Sequence, residues 1–354
     1  MSGILSDLLY VVGIAVMFLI LIAPHEGGHF LVAKLCGVRI IEFSVGAGTR
    51  LWSTTRNGTL YAIRLIPIIG YVRMGGMEAG DFEEANGFHS KAPWQRIAIL
   101  LAGPVANFVV AIVLITGFGL TQLNNDPGKV MGVVKDSVAA SAGIRPGDHI
   151  KTVNGKAITA PQNIQQQEVA AAGQSVTITG THADGTPFAA VVTPVCQNGT
   201  CQIGVFIARV ATPLTAVQEG VSFPFQAMQV IVQGLGSLVT GQVPGGLFGK
   251  DGLTGPIGIA AITYDAVNQG PPTYIWLVAL LSVALGVTNL FPLLALDGGR
   301  IVVVILEWLR RRPFDRNSEL NFQRWGLAAL LALVAVISFL DIQRIVTGQF
   351  PGVH

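Results

Sequence analysis

Four long apolar stretches constrain what this chain can fold into more than any other feature of its sequence. They cover approximately residues 4–35, 97–120, 274–296 and 325–340. A helix needs about 20 mostly apolar residues to cross the hydrocarbon core of a bilayer. Charged residues make up only 12% of the chain, against about 25% in soluble domains. The sequence therefore predicts a polytopic α-helical membrane protein with four transmembrane helices.

The first apolar stretch has one alternative interpretation, which is a cleaved signal peptide. Signal peptides begin with a positively charged region and end at a cleavage site of small residues. Residues 1–10 contain no Lys or Arg and one acidic residue, Asp7. We therefore expect the first stretch to be retained as a transmembrane helix.

Basic residues are distributed unevenly among the segments that join the apolar stretches. Residues 34–96 contain eight Lys and Arg and residues 300–324 contain six, whereas the much longer segment 121–273 contains seven. Because Lys and Arg concentrate in cytoplasmic loops, the first two segments are predicted to be cytoplasmic, and both termini and 121–273 to lie outside. With a net charge of only +2, we interpret the basic residues as loop anchors and expect no nucleic-acid partner.

The segments between the helices have their own patterns. Asn57-Gly58, between flanks rich in aromatic and branched residues, predicts a β-hairpin at the cytoplasmic membrane face. Within 124–195, short strand-like runs and turn residues surround one helical stretch, which predicts an independent β-rich domain. Residues 213–240 carry apolar side chains at helical spacing, and Pro224 is expected to interrupt that helix.

These patterns give a predicted order of segments. Transmembrane helices are expected at 1–36, 97–120, 273–299 and 325–354, the last with a C-terminal tail, a membrane-associated β region at 37–96, an extracytoplasmic domain at 121–211, an amphipathic connecting region at 212–272 and a basic cytoplasmic segment at 300–324.

The chain has three cysteines, and two of them fall in the predicted outer region. Disulfides persist outside the cytoplasm, so the location of Cys196 and Cys201 favours a disulfide in the sequence CQNGTC. Two unpaired thiols are the alternative. Cys36, at the cytoplasmic end of the first helix, is expected to serve packing.

The motif HEGGH, which is His25-Glu26-x-x-His29, is the strongest indication of chemistry. Positions i and i+4 share one face of a helix, so both imidazoles can face one metal ion. Glu26 lies beside them, where it can take a proton as a general base. Ionisable groups at membrane depth are costly and usually functional. The alternative is that the motif is only a polar helix end, whose histidines extend to the membrane–water interface.

A catalytic zinc site typically takes three protein ligands. Asp297, which ends an apolar run and precedes two glycines, is a better third candidate than His89, which lies in a polar stretch. His25 and Asp297 are 21 and 23 residues from the outer ends of their apolar stretches, so they reach a similar depth of about 30 Å. The alternative is that Asp297 only ends the helix and binds no metal. Asn289 and Asn107 also lie within apolar stretches, where each can bind a substrate backbone or join two helices.

Five sequence motifs then make the chain similar to a known family. They are HEGGH, IPIIGYVRMGG, WQRIAILLAGPVANF, TGPIGIA with NLFPLLALDGG, and GVVKDSVAASAGIRPGDHIKTVNGKAI, the last of which is similar to a PDZ domain. Together they cover most of the chain. The chain resembles the site-2 protease family of intramembrane zinc metalloproteases, of the bacterial regulator-of-sigma-E-protease type.

The resemblance implies one Zn²⁺ ion held by His25, His29 and Asp297, with Glu26 as the catalytic acid/base. It also implies substrate contact at Asn289 and, through strand pairing, at the hairpin around 51–74. The implied fold has four transmembrane helices, a membrane-associated cytoplasmic β-hairpin and one extracytoplasmic PDZ-like domain.

The resemblance also implies the substrates and the cellular location. The substrates would be single-span membrane proteins, such as anti-sigma factors already cut outside, whose outer ends the PDZ-like domain binds. Cleavage would occur in the bacterial cytoplasmic (inner) membrane, near its cytoplasmic face.

The chain departs from the family pattern at two points. Ile69 stands where the family usually has a second glycine, and the outer region has room for one PDZ domain where the best-known bacterial relative has two. The single domain puts in doubt the size-exclusion gating proposed for the tandem form. Neither departure touches the predicted zinc ligands.

Two other functions compete with that of a protease. One is a non-catalytic, membrane-tethered PDZ adaptor with a structural metal site, against which Glu26 argues, since such a site needs no base. The other is a metal transporter, which would spread its ligands across the membrane, whereas here they converge at one depth and no inverted repeat is evident.

Overall fold

The computed structural model describes residues 3–78, 80–135, 137–171, 173–197, 200–208, 210–243, 246, 249, 252–293 and 295–350. The C-terminal tail at 351–354 and the turn at 198–199 of CQNGTC lie outside these residues. The helices are α1 (Gly3–Leu35), α2 (Pro93–Thr121), α3 (Val138–Ser141), α4 (Gln162–Ala170), α5 (Pro213–Val239), α6 (Pro256–Gln269), α7 (Pro271–Asn289), α8 (Asp297–Arg310) and α9 (Arg316–Val346). The strands are β1 (Ile40–Arg56), β2 (Thr59–Met74), β3 (Val130–Val133), β4 (His149–Val153), β5 (Lys156–Ala157), β6 (Val176–Thr181), β7 (Pro187–Val192), β8 (Val195–Gln197), β9 (Thr200–Gln202) and β10 (Val205–Ile207).

The chain forms two compact units. A helical unit comprises Met1–Thr116 and Glu219–His354, and a β-rich unit comprises Gly117–Gln218. Within the described residues of the helical unit, four helices are long and apolar enough to cross a membrane: Leu8–Leu35, α2, α7 and α9. These agree with the four predicted transmembrane helices in number and approximate position.

The third of these helices ends earlier than predicted. The apolar stretch suggested a transmembrane helix over 273–299, but α7 ends at Asn289 and Asp297 begins α8. The chain turns between them through short hydrogen bonds, from Leu293 N to Phe291 O and from Leu296 N to Leu293 O. The turn brings Gly298 so close to the end of α7 that a Cβ there would overlap the Leu290 carbonyl oxygen. Hydropathy does not show this break because both sides of it are apolar.

Two further helix predictions differ from the structure. α5 continues through Pro224, which was expected to interrupt it. Phe223 and Ala227 pack against an apolar core shared with α2 and α7, and this tertiary packing holds the helix despite the missing N–H. α9 begins at Arg316, nine residues before the predicted start at 325, because the Asp315 carboxylate accepts hydrogen bonds from the backbone N–H and hydroxyl of Ser318.

The predicted hairpin is present between α1 and α2. Asn57 and Gly58 join β1 to β2 with positive φ angles of 50° and 74°, as a tight turn of this kind requires. The two long strands fold back on themselves, so that residues 42–45 of β1 lie between residues 60–63 and 70–73 of β2. The segment 70–74 therefore forms an edge of this small sheet.

The core that supports the hairpin joins it to three helices. Met74 of β2 packs with Ala33 of α1, Ile99 and Leu100 of α2 and Val304 of α8. All five side chains are at most 5% exposed. This core fixes the relative positions of the segments that carry the predicted site residues.

The β-rich unit, Gly117–Gln218, covers the residues 121–211 for which a separate domain was predicted. A four-stranded antiparallel sheet has the order β5-β4-β6-β7, and β3 pairs with β10. Val130, Ile150, Val176, Ile178 and Ile203 form its core, each at most 2% exposed. β8 pairs with β9 so that Cys196 and Cys201 lie directly opposite each other and form the disulfide that their location favoured.

Candidate metal centre

The motif HEGGH lies on α1, which continues through it to Leu35. His25 and His29 are each 7% exposed, and their rings stack edge to face with centroids 4.8 Å apart. Pro24 precedes the motif without ending the helix. The helical spacing therefore places both imidazoles on one face, as predicted.

Asp297 reaches the histidines because it starts α8 after the break in the third apolar stretch. Its Oδ2 lies 3.3 Å from His25 Nε2 and 3.2 Å from His29 Nε2. The two Nε2 atoms are 3.3 Å apart. Three potential ligand atoms thus form a nearly equilateral triangle, the one such group of His, Cys, Asp and Glu within the described residues.

The size of this triangle fits a small divalent cation. Ligand atoms held at about 2.0 Å from a tetrahedral ion lie about 3.3 Å from one another. Two imidazole nitrogens and a carboxylate are also a donor set that zinc prefers. Three lone pairs that converge without a cation would repel each other, so the arrangement is one that bound metal would stabilise.

Helix α2 supports the two histidines from behind. His29 Nδ1 lies 2.7 Å from the carbonyl oxygen of Ile99, and His25 Nδ1 lies 3.3 Å from Asn107 Nδ2. Gly103 lies between these contacts, and a Cβ at this position would overlap His29 Nε2 and approach His25 Cε1 to 2.8 Å. The glycine of the motif LAGPVAN is what allows the imidazoles to lie against α2.

A cavity of about 320 Å³ opens in front of the triangle. Besides the three potential ligands, it is lined by Glu26, Gly70, Tyr71, Asn289 and Arg300, among others. Gly70 is in close contact with the glutamate, since a Cβ there would lie 2.7 Å from Glu26 Cγ. The cavity therefore brings a carboxylate, a polar amide and a guanidinium group to the same space as the triangle.

The edge of the hairpin sheet forms one wall of this cavity. Gly70, Tyr71, Val72 and Met74 line it. On their other side these residues pair with 40–45 of β1, and no second strand pairs with them among the described residues. An edge with unpaired main-chain groups is able to accept a further strand.

A hydrogen-bonded network fixes this edge. Arg64 donates to Glu42 at 2.7 Å and to Ser44 at 2.9 Å, and the Tyr71 hydroxyl donates to Glu42 at 2.7 Å. Burial alone would raise the pKa of Glu42, but the hydrogen bonds from Arg64 and Tyr71 outweigh it and lower the pKa. The carboxylate is thus charged at neutral pH and holds Tyr71 in place at the cavity wall.

The remaining candidate residues, Asn289, Asn107 and His89, lie at three different places in the structure. Asn289 lines the cavity, with its Nδ2 donating to Leu285 O at 3.1 Å. Asn107, expected to contact substrate, is fully buried behind His25 and is not among the residues that line the cavity. Asn107 therefore does not reach this cavity in the structure, because it lies behind the His25 imidazole, and its contact with substrate stays a prediction. His89, the rejected third ligand, lies at a different cavity with Arg316, where burial and the nearby arginines lower its pKa to about 3.

Sequence reasoning missed the roles of Arg300, Arg96 and Gly103. Arg300 was counted as a loop anchor, but it lines the cavity, and its guanidinium donates to Gln323 Oε1 at 3.2 Å. Arg96 is 4% exposed and pairs with Glu307 at 2.8 Å, so it is not a loop anchor either. The only signal for Arg300 was its position directly after the DGG motif.

Comparison with known families decides where the chain belongs. The family model described as Peptidase family M50 matches residues 13–333, which is most of the chain. The chain is a member of peptidase family M50. The HEGGH motif and Asp297 both fall within the part that matches this family.

Several curated relatives match this M50 chain over nearly its whole length. Metalloprotease MmpA of Caulobacter vibrioides is 30% identical, with 98% of each chain covered. Zinc metalloprotease RasP of Bacillus licheniformis is 29% identical and covers 95% of this chain and 99% of its own. Regulator of sigma-W protease RasP of Bacillus subtilis is 28% identical, with 95% and 98% covered.

Solved structures are similar to part of the chain. One example is the PDZ domain of the SdrC-like protein from Listeria monocytogenes, which is 26% identical over 24% of this chain and 90% of its own. Its TM-score is 0.21.

Proposed function

We propose that this M50 peptidase is an intramembrane zinc metalloprotease that hydrolyses peptide bonds within the transmembrane segments of single-span proteins. The observation that carries the proposal is the triangle of His25, His29 and Asp297, with sides of 3.2–3.3 Å, beside Glu26 in one cavity. That cavity lies among helices long and apolar enough to cross a membrane.

His25, His29 and Asp297 would hold one Zn²⁺ ion through two Nε2 atoms and a carboxylate oxygen. When bound, zinc polarises a scissile carbonyl and lowers the pKa of a coordinated water. The protein's own contribution is to fix the ligands, to bring substrate to them and to move a proton.

Glu26 is the residue that we assign to proton transfer. It follows His25 directly and lines the same cavity as the potential ligands. As a general base it would take a proton from the attacking water, and as a general acid it would give that proton to the leaving amine. No covalent intermediate with the protein is needed. A purely structural metal site would have no use for this carboxylate.

The hairpin edge is the proposed binding site for the substrate main chain. A peptide must be extended at the bond that is cut, and an extended peptide can add to a sheet edge as a further strand. Residues 70–74 offer such an edge at the wall of the cavity. Asn289, the last residue of α7, is proposed to hydrogen-bond the same peptide.

The substrate class and the orientation rest on the relatives and on the basic residues. The Bacillus subtilis relative is named regulator of sigma-W protease. We therefore propose anti-sigma-like single-span proteins, already cut outside, as substrates of this chain. The excess of Lys and Arg in 34–96 and 300–324 supports a bacterial cytoplasmic membrane protein whose site lies near the cytoplasmic face. The β-rich unit would then be extracytoplasmic and, as a PDZ-like domain, would bind the outer ends of substrates.

The decisive experiment compares wild type with Glu26→Gln. Each is co-expressed with a tagged single-span substrate that lacks its outer domain, and zinc is measured in both purified proteins. We expect the variant to keep one zinc and to lose cleavage by at least about 100-fold, as for removal of a general base. Glu83→Gln, which changes an exposed glutamate, is the matched control and should cleave like wild type.

The outcomes separate the competing functions. Loss of cleavage in Glu26→Gln with metal retained, together with loss on chelation and recovery with zinc, supports the protease. Equal behaviour of wild type and variant against a panel of such substrates, with metal bound, would instead indicate a structural site in a membrane-tethered adaptor.

A further inference from the structure

Asn107 is an amide buried inside the helical unit with one of its polar atoms unsatisfied. The residue is 0% exposed, and its Nδ2 lies 3.3 Å from His25 Nδ1. Its Oδ1 is buried and has no hydrogen-bond partner. The backbone is fixed, because the Asn107 carbonyl oxygen accepts a hydrogen bond from Ser282 Oγ at 2.9 Å. An unpaired buried polar atom is costly, so this one needs an explanation.

The chemistry of a metal-binding histidine decides which polar atom of Asn107 should face His25. An imidazole that binds a cation through Nε2 carries its proton on Nδ1 and donates it to a nearby acceptor. The group that faces His25 Nδ1 is Nδ2 of Asn107, which is itself a donor. Rotation of the amide by 180° exchanges Nδ2 and Oδ1 with almost no change in shape. The rotation places Oδ1 opposite His25 Nδ1, so that an acceptor faces the ring N–H of a metal-bound histidine, and it moves Nδ2 to the position where Oδ1 has no partner.

We propose that Asn107 is a positioning residue that accepts the Nδ1 proton of His25 through Oδ1 when metal is bound. This fixes the tautomer of His25 and turns its Nε2 toward His29 and Asp297. The inference rests on the proposed zinc site, which it extends by one residue.

The second histidine shows the same arrangement with a different acceptor. His29 Nδ1 lies 2.7 Å from the main-chain oxygen of Ile99. Ile99 and Asn107 are both on α2, eight residues apart, on either side of Gly103. One helix thus supplies both acceptors, one from its backbone and one from a side chain. Only the second can be removed by substitution, which makes Asn107 the testable member of the pair.

The test measures zinc affinity by chelator competition on the purified full-length protein in detergent. Asn107→Leu keeps the size of the side chain but removes the acceptor, and we expect zinc to bind about 10–100-fold more weakly. Asn107→Asp keeps an acceptor oxygen in the same place, and its affinity should stay within a few-fold of wild type. Asn317→Leu is the matched control, the same exchange at an exposed amide that is not among the residues lining the cavity, and should leave zinc affinity unchanged.

A spectroscopic readout distinguishes positioning from packing. Cobalt replaces zinc, and its visible absorption reports the geometry of the ligands. We expect Asn107→Asp to keep the wild-type spectrum and Asn107→Leu to alter it.

The proposal is overturned if Asn107→Leu binds zinc as tightly as wild type, or if Asp and Leu weaken binding equally. Failure of the wild-type protein itself to bind zinc would contradict the proposed function, a separate result. If Asn107→Leu does not fold, Asn107→Asp remains as the test. The proposal then requires that Asn107→Asp keep the zinc affinity and the cobalt spectrum of wild type.

Discussion

At the scale of single residues, the absence of two side chains allows the metal site to form. A Cβ on Gly28 would overlap the carbonyl oxygen of Ala102, and a Cβ on Gly103 would overlap the imidazole of His29. Because neither exists, α1 and α2 approach closely enough for Ile99 O to lie 2.7 Å from His29 Nδ1. The glycines cost helix stability of about 1 kcal/mol each, which the close packing must offset.

Gly103→Ala therefore tests the close approach of the two helices. Alanine would favour the helix intrinsically by about 1 kcal/mol, but its methyl group would displace His29 from the triangle. We expect zinc affinity to fall by at least about 100-fold, a larger loss than for an outer hydrogen-bond partner. The measurement is chelator competition, as for Asn107.

The same helix provides a control for this substitution. Nothing lies within 4 Å of a Cβ on Gly117, so Gly117→Ala should leave zinc affinity unchanged. If Gly103→Ala binds zinc as tightly as wild type, then the helices can separate and the glycine is not needed.

At the scale of elements, a buried charge network fixes α8, the helix that begins with Asp297. Glu307 accepts from Arg96 of α2 at 2.8 Å, from Arg316 of α9 at 2.6 Å and from the backbone N–H of Phe314 at 2.9 Å. Burial alone would raise the pKa of Glu307, but these partners outweigh it and lower the pKa. Glu307 thus stabilises the fold above its unfolded pKa of about 4.5, and this contribution is lost as the pH falls through the lowered folded value.

Glu307→Gln should reveal the contribution of this network. The variant keeps the shape of the side chain but leaves Arg96, only 4% exposed, without a counter-charge. We expect the free energy of unfolding at pH 7 to fall by about 3 kcal/mol, as is typical when one partner of a buried pair is removed. Tryptophan fluorescence during denaturation of the detergent-solubilised protein measures it, since Trp94 and Trp308 are close in sequence to Arg96 and Glu307.

Arg96→Met combined with Glu307→Gln provides the control. Removal of both charges should restore part of the lost stability, and the wild-type loss of stability below about pH 4.5 should become smaller. Equal stability of Glu307→Gln and wild type at pH 7 would show that the network contributes nothing measurable.

The elements also show where prediction from sequence succeeds. Length and hydropathy are local properties of the chain, so the four transmembrane helices were predicted in number and approximate position, and Asn57-Gly58 alone indicated the hairpin turn. The pair His25 and His29 followed from helical spacing. The break before Asp297 did not, because it depends on how Gly298 packs against Leu290, which hydropathy does not record. Pro224 was misjudged for a similar reason, since tertiary contacts decide whether a helix continues.

The sequence did not predict the role of a residue where that role depends on which atoms its side chain contacts in the folded chain. Asn107 and Asn289 look alike in sequence, as amides inside apolar stretches. The structure places one behind His25 and the other at the cavity. Arg96 and Arg300 were likewise counted with the exposed basic residues, because nothing in the sequence indicates that Glu307 lies opposite Arg96.

At the scale of the whole molecule, every residue of the potential metal site belongs to the helical unit. The β-rich unit is inserted as Gly117–Gln218, which begins in the last turn of α2 and ends in the first turns of α5. The two points of insertion are adjacent, since a Cβ on Gly220 would overlap Thr116 Oγ1 and lie 2.9 Å from Ile112 O. The chain therefore leaves and re-enters the helical unit at nearly the same place.

This adjacency predicts that the helical unit can form its metal site alone. Residues 117–218 are replaced by about eight Gly and Ser residues, which span about 16 Å as a flexible chain. We expect the variant to bind one zinc with wild-type affinity and to cleave a pre-trimmed single-span substrate within about 10-fold of wild type, a barrier change of about 1.4 kcal/mol or less. Insertion of the same linker at the exposed loop after Glu83, with the β-rich unit intact, controls for the added flexibility.

The substrate panel then assigns a role to the unit that was removed. If the β-rich unit selects substrates by their outer ends, wild type should reject single-span proteins that keep their outer domains, and the shortened protein should cleave them. Unchanged discrimination would place selection in the helical unit, at the hairpin edge or Asn289. Loss of zinc from the shortened protein would contradict the prediction, because the triangle of His25, His29 and Asp297 would then depend on residues that do not touch it.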